Sequence, residues 1–478
     1  MNMGELRAHA PLLDAYLSFL DRRESLSPFT VPGHKQQTAQ IDADLGRCVD
    51  VDVPLYGGLD EIKLTRGVLA HAEGLAADLW GGNWARFSTG GSTHGNQALM
   101  FAIAKPGAKV AVTRAAHRSL ASALMLANLT PIWMMPDVDK RTGFPTGISI
   151  ETVSKALQSN PVAIVLTEPG YLGTYSDLPA IVELAHKHDV PVIVDQAWGA
   201  PFGFHPKLPP HALQSGADAF VTSIHKNLTG YSAASLVVAK SHLLESARLN
   251  QGFEATHTTS PAGAPLASID GTRALLQLRG FDLIEAMLNR IDKLREDLIY
   301  KFGKEVTISP NDFDRFDYSK VIIRCGAIGD DGVRIEKELI KRGIPVEMAD
   351  QDTLIAMVTI ADTDRDIENL SSSLCEIIKP GTPRTTPTAL SWRISPVQVR
   401  PFAEGLFGRS ELVSADSAIG RVSADLIAPY PPGVPVVMPG ELLTSEIVTG
   451  LREAAASGVR IAYSTDATLD SYRVLLTS

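Results

Sequence analysis

The sequence predicts an α/β protein, with a mostly parallel sheet sandwiched by helices in a large domain and a smaller α/β region toward the C-terminus. Two observations carry this. Between about residues 60 and 240, short β-rich runs recur as Lys109-Val110-Ala111-Val112, Pro131-Ile132-Trp133-Met134-Met135, Val162-Ala163-Ile164-Val165-Leu166, Val192-Ile193-Val194, Ala219-Phe220-Val221 and Ser235-Leu236-Val237-Val238. Segments of helical period, such as Leu178 to His188, alternate with them. Strands apolar on both faces belong to a sheet covered on both sides, and helical crossovers make neighbouring strands parallel.

A helical stretch, Leu6 to Leu20, opens the chain. Thr30-Val31-Pro32-Gly33-His34-Lys35 behind it is loop-like, broken by Pro and Gly. After the strand-rich region, residues 272 to 303 carry helical periodicity through Leu275, Leu278, Leu283, Met287 and Ile291. Two further strands are expected at Lys320-Val321-Ile322-Ile323-Arg324 and Thr353-Leu354-Ile355-Ala356-Met357-Val358, and a Pro/Gly/Thr-rich linker at 379–387. The expected division is an N-terminal arm (1–55), a large cofactor-binding domain (56–285), a small α/β domain (286–385) and a C-terminal module (386–478).

Composition narrows the function. Forty-five per cent hydrophobic and 21 per cent charged residues suit a globular enzyme with a large core. The net charge of −10, with no lysine or arginine tract, argues against nucleic acid as a partner. Cys48, Cys325 and Cys375 lie far apart, without zinc-ligand spacing, which suits a reducing compartment. His186 and His188 are two apart on a helix and cannot share a face, so no metal site is expected. The first 20 residues include Glu5, Arg7, His9 and Asp14 and lack the apolar core of a signal peptide. No apolar stretch reaches the roughly 20 residues that span a bilayer. The expectation is a cytoplasmic protein without a membrane partner.

The chemistry concentrates at strand ends, where ligands bind in open α/β sheets. One apolar run ends in Asp195-Gln196-Ala197-Trp198; the next strand runs into Ser223-Ile224-His225-Lys226. Pyridoxal phosphate needs such a pair: a lysine amine for its aldehyde, and a carboxylate that keeps the pyridine nitrogen protonated so the ring accepts electrons. Taken singly, Asp195 reads as a helix cap and Lys226 as a surface lysine. Thr89-Gly90-Gly91-Ser92-Thr93-His94-Gly95-Asn96 precedes a helical apolar segment and reads as a phosphate-binding turn or an ordinary helix cap. His117, just after a strand, is placed either to lie flat on a cofactor ring or to hydrogen-bond within its loop. Glu347 reads as an exposed carboxylate or as a partner for a cationic substrate tail.

With these residues in order the chain resembles the ornithine/lysine/arginine decarboxylases, pyridoxal-phosphate enzymes of fold type I (the aspartate-aminotransferase fold). The resemblance spans most of the chain. It runs through Pro32-Gly33-His34-Lys35, Leu59-Asp60-Glu61, Ser88 to Asn96, Asp195 to Trp198, Ser223 to Lys226, Thr258-Thr259-Ser260-Pro261 and Leu266-Ala267-Ser268-Ile269-Asp270. It ends in Ala428-Pro429-Tyr430-Pro431-Pro432-Gly433-Val434-Pro435 and Pro439-Gly440-Glu441. The resemblance implies that Lys226 holds the cofactor, Asp195 pairs with the pyridine nitrogen and His117 stacks on the ring. It implies that Ser92, Thr93, Ser223 and His225 bind the phosphate, that Ala197 packs on the other ring face and that Trp198 borders the site. Thr258, Thr259 and Ser260 would form a loop near the interface of a homodimer, or of a small multiple of dimers, whose sites draw on two subunits.

The implied reaction is α-decarboxylation of a basic L-amino acid to its amine, a step of polyamine biosynthesis, with His225 or Lys226 returning a proton to Cα. The resemblance is to the short form of the family, which is expected to do without the receiver-like N-terminal domain of long members, and this puts arginine ahead of lysine and ornithine. Ala262-Gly263-Ala264-Pro265 is smaller than the family pattern and would leave room for the longer substrate. Two alternatives remain on sequence grounds. One is transamination or elimination on the same cofactor, since fold does not determine function; the other is a catalytically silent regulatory paralogue.

Overall fold

A computed structural model describes residues 3–55, 58–59, 67–384, 392, 394–430 and 433–476. Asp60-Glu61, Thr385 to Pro387 and Pro431-Pro432 therefore lie outside the described residues. The strand-rich region holds seven strands: β1 (Trp84–Ser88), β2 (Lys109–Thr113), β3 (Thr130–Met134), β4 (Ile164–Thr167), β5 (Val192–Asp195), β6 (Ala219–Ser223) and β7 (Ser235–Ala239). All six strands expected from the apolar runs are present, while β1 was not anticipated. Its centre is Arg86, which makes the run look amphipathic, and its pairing with β7 is antiparallel. Two compact units divide the chain: 1–103 with 191–284, and 104–190 with 285–478.

The first unit carries β1-β7-β6-β5 in that order, with β5 and β6 parallel and β7 antiparallel to both of its neighbours. Helices Gly91–Ile103 and Ser246–Thr256 pack closely here. The contact is set by Gly252, where a Cβ would overlap the carbonyl of Ala98 and lie 2.8 Å from the amide nitrogen of Ala102. Arg248 completes the contact by donating through Nε to the Ala102 carbonyl and through Nη2 to that of Phe101, both at 3.2 Å. A guanidinium over the last carbonyls of a helix satisfies acceptors that have no intrahelical donor. The helix Pro11–Arg22 is tied in by Asp270, whose Oδ2 accepts from the Leu12 N–H at 2.7 Å while Oδ1 pairs with Arg273 at 2.7 Å.

The second unit carries β4-β2-β3, all parallel. It continues into a three-stranded antiparallel sheet of β8 (Val321–Ile323), β9 (Met348–Ala349) and β10 (Leu354–Ala356). The C-terminal part adds two antiparallel pairs, β11 (Ser410–Ser414) with β14 (Ser471–Leu475) and β12 (Ala428–Tyr430) with β13 (Arg460–Ala462). Their core includes Val437, Leu443, Leu451, Leu469 and Val474, all completely buried. Helix Gly263–Phe302, 40 residues long, begins nine residues before the periodicity read at 272. Ala262-Gly263-Ala264-Pro265 thus leads directly into its first turn. A Cβ on Gly263 would lie 2.7 Å from Leu59 and 2.8 Å from the Val53 carbonyl, so its smallness answers to packing.

Two glycines should respond oppositely to alanine. Gly252→Ala forces helices apart and should cost about 1–3 kcal/mol, as overpacking does. Gly74, inside helix Val68–Leu79, has nothing within 4 Å of a Cβ. Gly74→Ala should stabilise by about 0.5–1 kcal/mol, because alanine loses less backbone entropy in a helix. Chemical unfolding of the two variants beside the parent checks both signs.

Candidate active site

Strand pairing in the first unit lines up three serines. Ser88 at the end of β1 and Ser223 at the end of β6 are both register partners of Ser235 on β7, so the three share one row and one face. All are buried. Over this row begins helix Gly91–Ile103. Its first residue has φ +68°, a left-handed conformation that glycine tolerates, and its N–H reaches the Ala233 carbonyl at 2.7 Å.

The first two turns of that helix bury three polar side chains, and each meets a different element. The hydroxyl of Ser92 lies 2.7 Å from that of Ser223. His94 Nδ1 lies 2.7 Å from Ser88 Oγ, which in turn accepts the Gly90 N–H at 3.0 Å. The Ser88 hydroxyl therefore donates to Nδ1, and His94 donates through Nε2 to the Phe253 carbonyl at 3.1 Å. Asn96 Nδ2 donates to Asp195 Oδ2 at 2.8 Å. Ser235 Oγ has no hydrogen-bond partner among the described residues.

Asp195 closes β5 and is 2 % exposed. Its register partner on β6 is Val221. A Cβ on Gly95 would overlap Val221 Cγ2 and stand 3.0 Å from Val237 Cγ2. Glycine thus lets the helix press onto β6, and the next residue, Asn96, reaches Asp195. The other carboxylate oxygen, Oδ1, accepts the Ala197 N–H at 3.2 Å. A buried carboxylate is tolerated when donors replace its lost water.

From Ser223 the chain turns into the short helix Ile224–Asn227. Lys226 Nζ stands 4.5 Å from the ring centre of Trp198, which is buried with Ala197 just past Asp195. A cation over an indole face is attractive. His225 donates through Nδ1 to the Ala234 carbonyl at 2.9 Å, and burial, with some help from the Lys226 charge, holds its pKa below the usual histidine value. Thr93 is exposed on the first helical turn, and Thr258, Thr259 and Ser260 form an exposed turn after helix Ser246–Thr256. Pro32-Gly33-His34-Lys35 folds on its own segment, with His34 Nε2 3.1 Å from Asp52 Oδ2.

Two expected site residues belong to the second unit. His117 is exposed and caps helix Arg118–Leu126, its Nδ1 accepting the Ser119 N–H at 3.2 Å. Glu347 is exposed beside β9, its N–H bonded to the Ile355 carbonyl at 3.1 Å. The loop that leads to His117 is anchored by a pairing absent from the sequence reading. Arg114 forms a two-pronged bond with Glu441 at 2.8 and 2.9 Å, and both side chains are 1 % exposed. Arg114 also donates to the Val436 carbonyl at 3.0 Å, and Glu441 Oε2 accepts the Met438 N–H at 2.8 Å. Pro439-Gly440-Glu441 therefore has a structural role: its carboxylate neutralises an arginine three residues before His117.

Among the described residues, no cluster of three or more His, Cys, Asp or Glu is arranged for a metal ion, and no helix is long and apolar enough to cross a membrane. The Francisella novicida lysine decarboxylase superposes with a TM-score of 0.80 at 20 % identity, over 97 % of this chain and 80 % of that one. A structure described as SPT with PLP superposes at 0.50 and 16 % identity, over 64 % and 75 %. These likenesses show the fold, which this chain shares with a lysine decarboxylase and with a structure solved with PLP. The model of the Orn/Lys/Arg decarboxylase major domain matches residues 10–308, and that of the C-terminal domain matches 394–457. An arginine decarboxylase of Halalkalibacterium halodurans is 31 % identical over 94 % of both chains. The chain belongs to the Orn/Lys/Arg decarboxylase family and is an amino-acid decarboxylase.

The Arg114–Glu441 pair should be costly to halve. Arg114→Met leaves a buried carboxylate without its cation and should cost about 3–5 kcal/mol, whereas Arg114→Met with Glu441→Leu should cost much less. Equal losses in the single and double variants would contradict the pairing. Burial, with the neighbouring His257, lowers the His94 pKa from 6.5 to about 4. Between these values the unfolded chain binds the extra proton and the folded protein does not. The contribution is full above pH 6.5 and declines as pH falls toward 4, by about 2.5 kcal/mol at pH ~4.5. Urea unfolding across this range should show a shallower acid slope for His94→Gln than for the parent.

Proposed function

We propose that this decarboxylase acts on arginine first, then lysine, then ornithine, releasing CO₂ and the corresponding amine. The observation that carries the site reading is the buried Asp195 carboxylate held by Asn96 and Ala197, in one unit with the Ser92–Ser223 hydroxyl pair and Lys226. These groups suit pyridoxal phosphate chemically: two hydroxyls and a helix N-terminus for its phosphate, an acceptor for its ring nitrogen and an amine for its aldehyde. When bound, the cofactor supplies an electron-accepting ring that draws off the pair released from the substrate's Cα–carboxylate bond.

In this reading Lys226 would supply the amine that holds the cofactor's aldehyde. Asp195 keeps the proton on the ring nitrogen. Ser92, Thr93, Ser223 and His225 bind phosphate, His117 and Ala197 cover the two ring faces, and Trp198 borders the site beside Lys226. His225 or Lys226 would return the proton to Cα. Glu347 offers a carboxylate to the cationic tail, and a planar guanidinium would donate two parallel hydrogen bonds to it. The four-part division at 55, 285 and 385 remains our reading of the domain organisation. Thr258, Thr259 and Ser260 complete the partner's site in a homodimer or small multiple of dimers, in the cytoplasm, where the amine product enters polyamine biosynthesis. Arginine leads because the relative at 31 % identity is an arginine decarboxylase. The small residues at 262–265 no longer support that order, since Gly263 is explained by Val53 and Leu59.

CO₂ release measured over the standard amino acids with added pyridoxal phosphate should give the highest kcat/KM for arginine; a lead for glutamate or an aromatic amino acid would overturn the basic-substrate reading. Lys226→Ala should lack the visible absorption band that borohydride abolishes in the parent. Asp195→Ala should retain some cofactor and lose most turnover. Protein diluted to monomers, followed by mass photometry, should lose activity.

A further inference from the structure

We infer that Asn96 is a positioning residue for the cofactor's ring nitrogen, acting through Asp195 rather than by touching the reacting atoms. The inference rests on the reading of Asp195 given above. Asn96 is 1 % exposed and Asp195 2 %, and the 2.8 Å bond between them has only one sense: a carboxylate accepts, so the amide nitrogen must be Nδ2 and must donate. The packing leaves the amide little choice of target. Gly95 fixes the helix on Val221 and Val237, and Val221 is the register partner of Asp195. The Ala197 N–H holds the other oxygen, so the carboxylate is oriented from both sides.

A donor on one oxygen does two things for a buried carboxylate. It stabilises the negative charge that a protonated ring nitrogen requires as its partner, and it stops the carboxylate rotating about its Cβ–Cγ bond. Removing the donor leaves the carboxylate with fewer bonds and free to turn, so its attraction for the protonated nitrogen is spread over several orientations. The loss should therefore appear in binding of the cofactor itself, before any substrate is present. Asn96→Ser keeps a donor on a shorter arm, and Asn96→Ala keeps none.

The test uses the full chain stripped of cofactor and then titrated with pyridoxal phosphate, or with an analogue in which carbon replaces the ring nitrogen. Asn96→Ala should weaken binding of pyridoxal phosphate by about tenfold, the effect of losing a hydrogen bond to a charged group. Its affinity for the carbon analogue should match that of the parent, and Asn96→Ser should recover part of the lost affinity for pyridoxal phosphate. Equal weakening of both ligands would show that Asn96 serves only the helix packing and would overturn the inference. Unchanged affinity for both would overturn it as well. If the parent itself did not discriminate between the two ligands, the Asp195 reading would fail instead, and the two failures are thereby told apart. Thermal melting of the cofactor-free variants shows that each is folded before titration.

Discussion

Three buried polar side chains in the first two turns of one helix are a liability unless each finds a partner, and the first unit is arranged around meeting that demand. Helix Gly91–Ile103 can sit low enough on β6 to do so only because residue 95 has no side chain. From that height Ser92 meets Ser223, His94 meets Ser88 and the Phe253 carbonyl, and Asn96 meets Asp195. Each bond stands in for water lost on burial, and together they fix the ends of β1, β5 and β6 relative to the helix. Gly252 plays the corresponding part on the outer side of the same helix, by letting Ser246–Thr256 close against it. Two glycines therefore set the geometry that the polar residues exploit.

The second unit meets a similar demand with charge. Arg114 stands immediately after β2, where a buried guanidinium needs several acceptors to be tolerated. Glu441 and the Val436 carbonyl provide them, and Trp133 lies 4.9 Å from the guanidinium carbon. Phe402 and Met438 pack with Ala121 in the same unit, so apolar and ionic contacts join the C-terminal part to helix Arg118–Leu126. That helix is capped by His117. A change at Glu441 would thus be felt in the backbone that carries the histidine, although Glu441 itself has no chemical part in the proposed reaction.

The sheet was legible because its interior strands are apolar on both faces, a pattern little else produces. β1 escaped because Arg86 interrupts its apolar run; the arginine lies 3.4 Å from Glu73 and bonds to Asn250, partners far away in sequence. The start of the 40-residue helix was missed because Gly263 and Pro265 are helix breakers in general, although Pro265 falls in the first turn, where proline is harmless. Lys226, Asp195 and the serine turn stood out because their residue types are unusual at strand ends. Asn96 and His94 lay inside the same quoted motif, yet nothing local marks their partners, since those are set by register between strands. Asp195 aligns with Val221, and only that alignment puts it within reach of Asn96. The role of Glu441 was hidden for the same reason, 327 residues from Arg114 in sequence.

Reaction type and substrate choice place different demands on the chain, and this explains why one is easier to argue than the other. Asp195 and Ala197, assigned to the ring nitrogen and one ring face, are buried, so their donors and acceptors have to be accounted for, and a wrong residue there would leave an unpaired polar atom. Asp195 with its two donors is constrained in this way. Glu347 is exposed, and its backbone N–H is held by the Ile355 carbonyl. A surface carboxylate of this kind can be exchanged at little cost to stability. Within 262–265, Gly263 is under a packing constraint of its own, pressed by Val53 and Leu59 whatever the substrate. Substrate preference is therefore better sought in exposed charge than in space that folding requires.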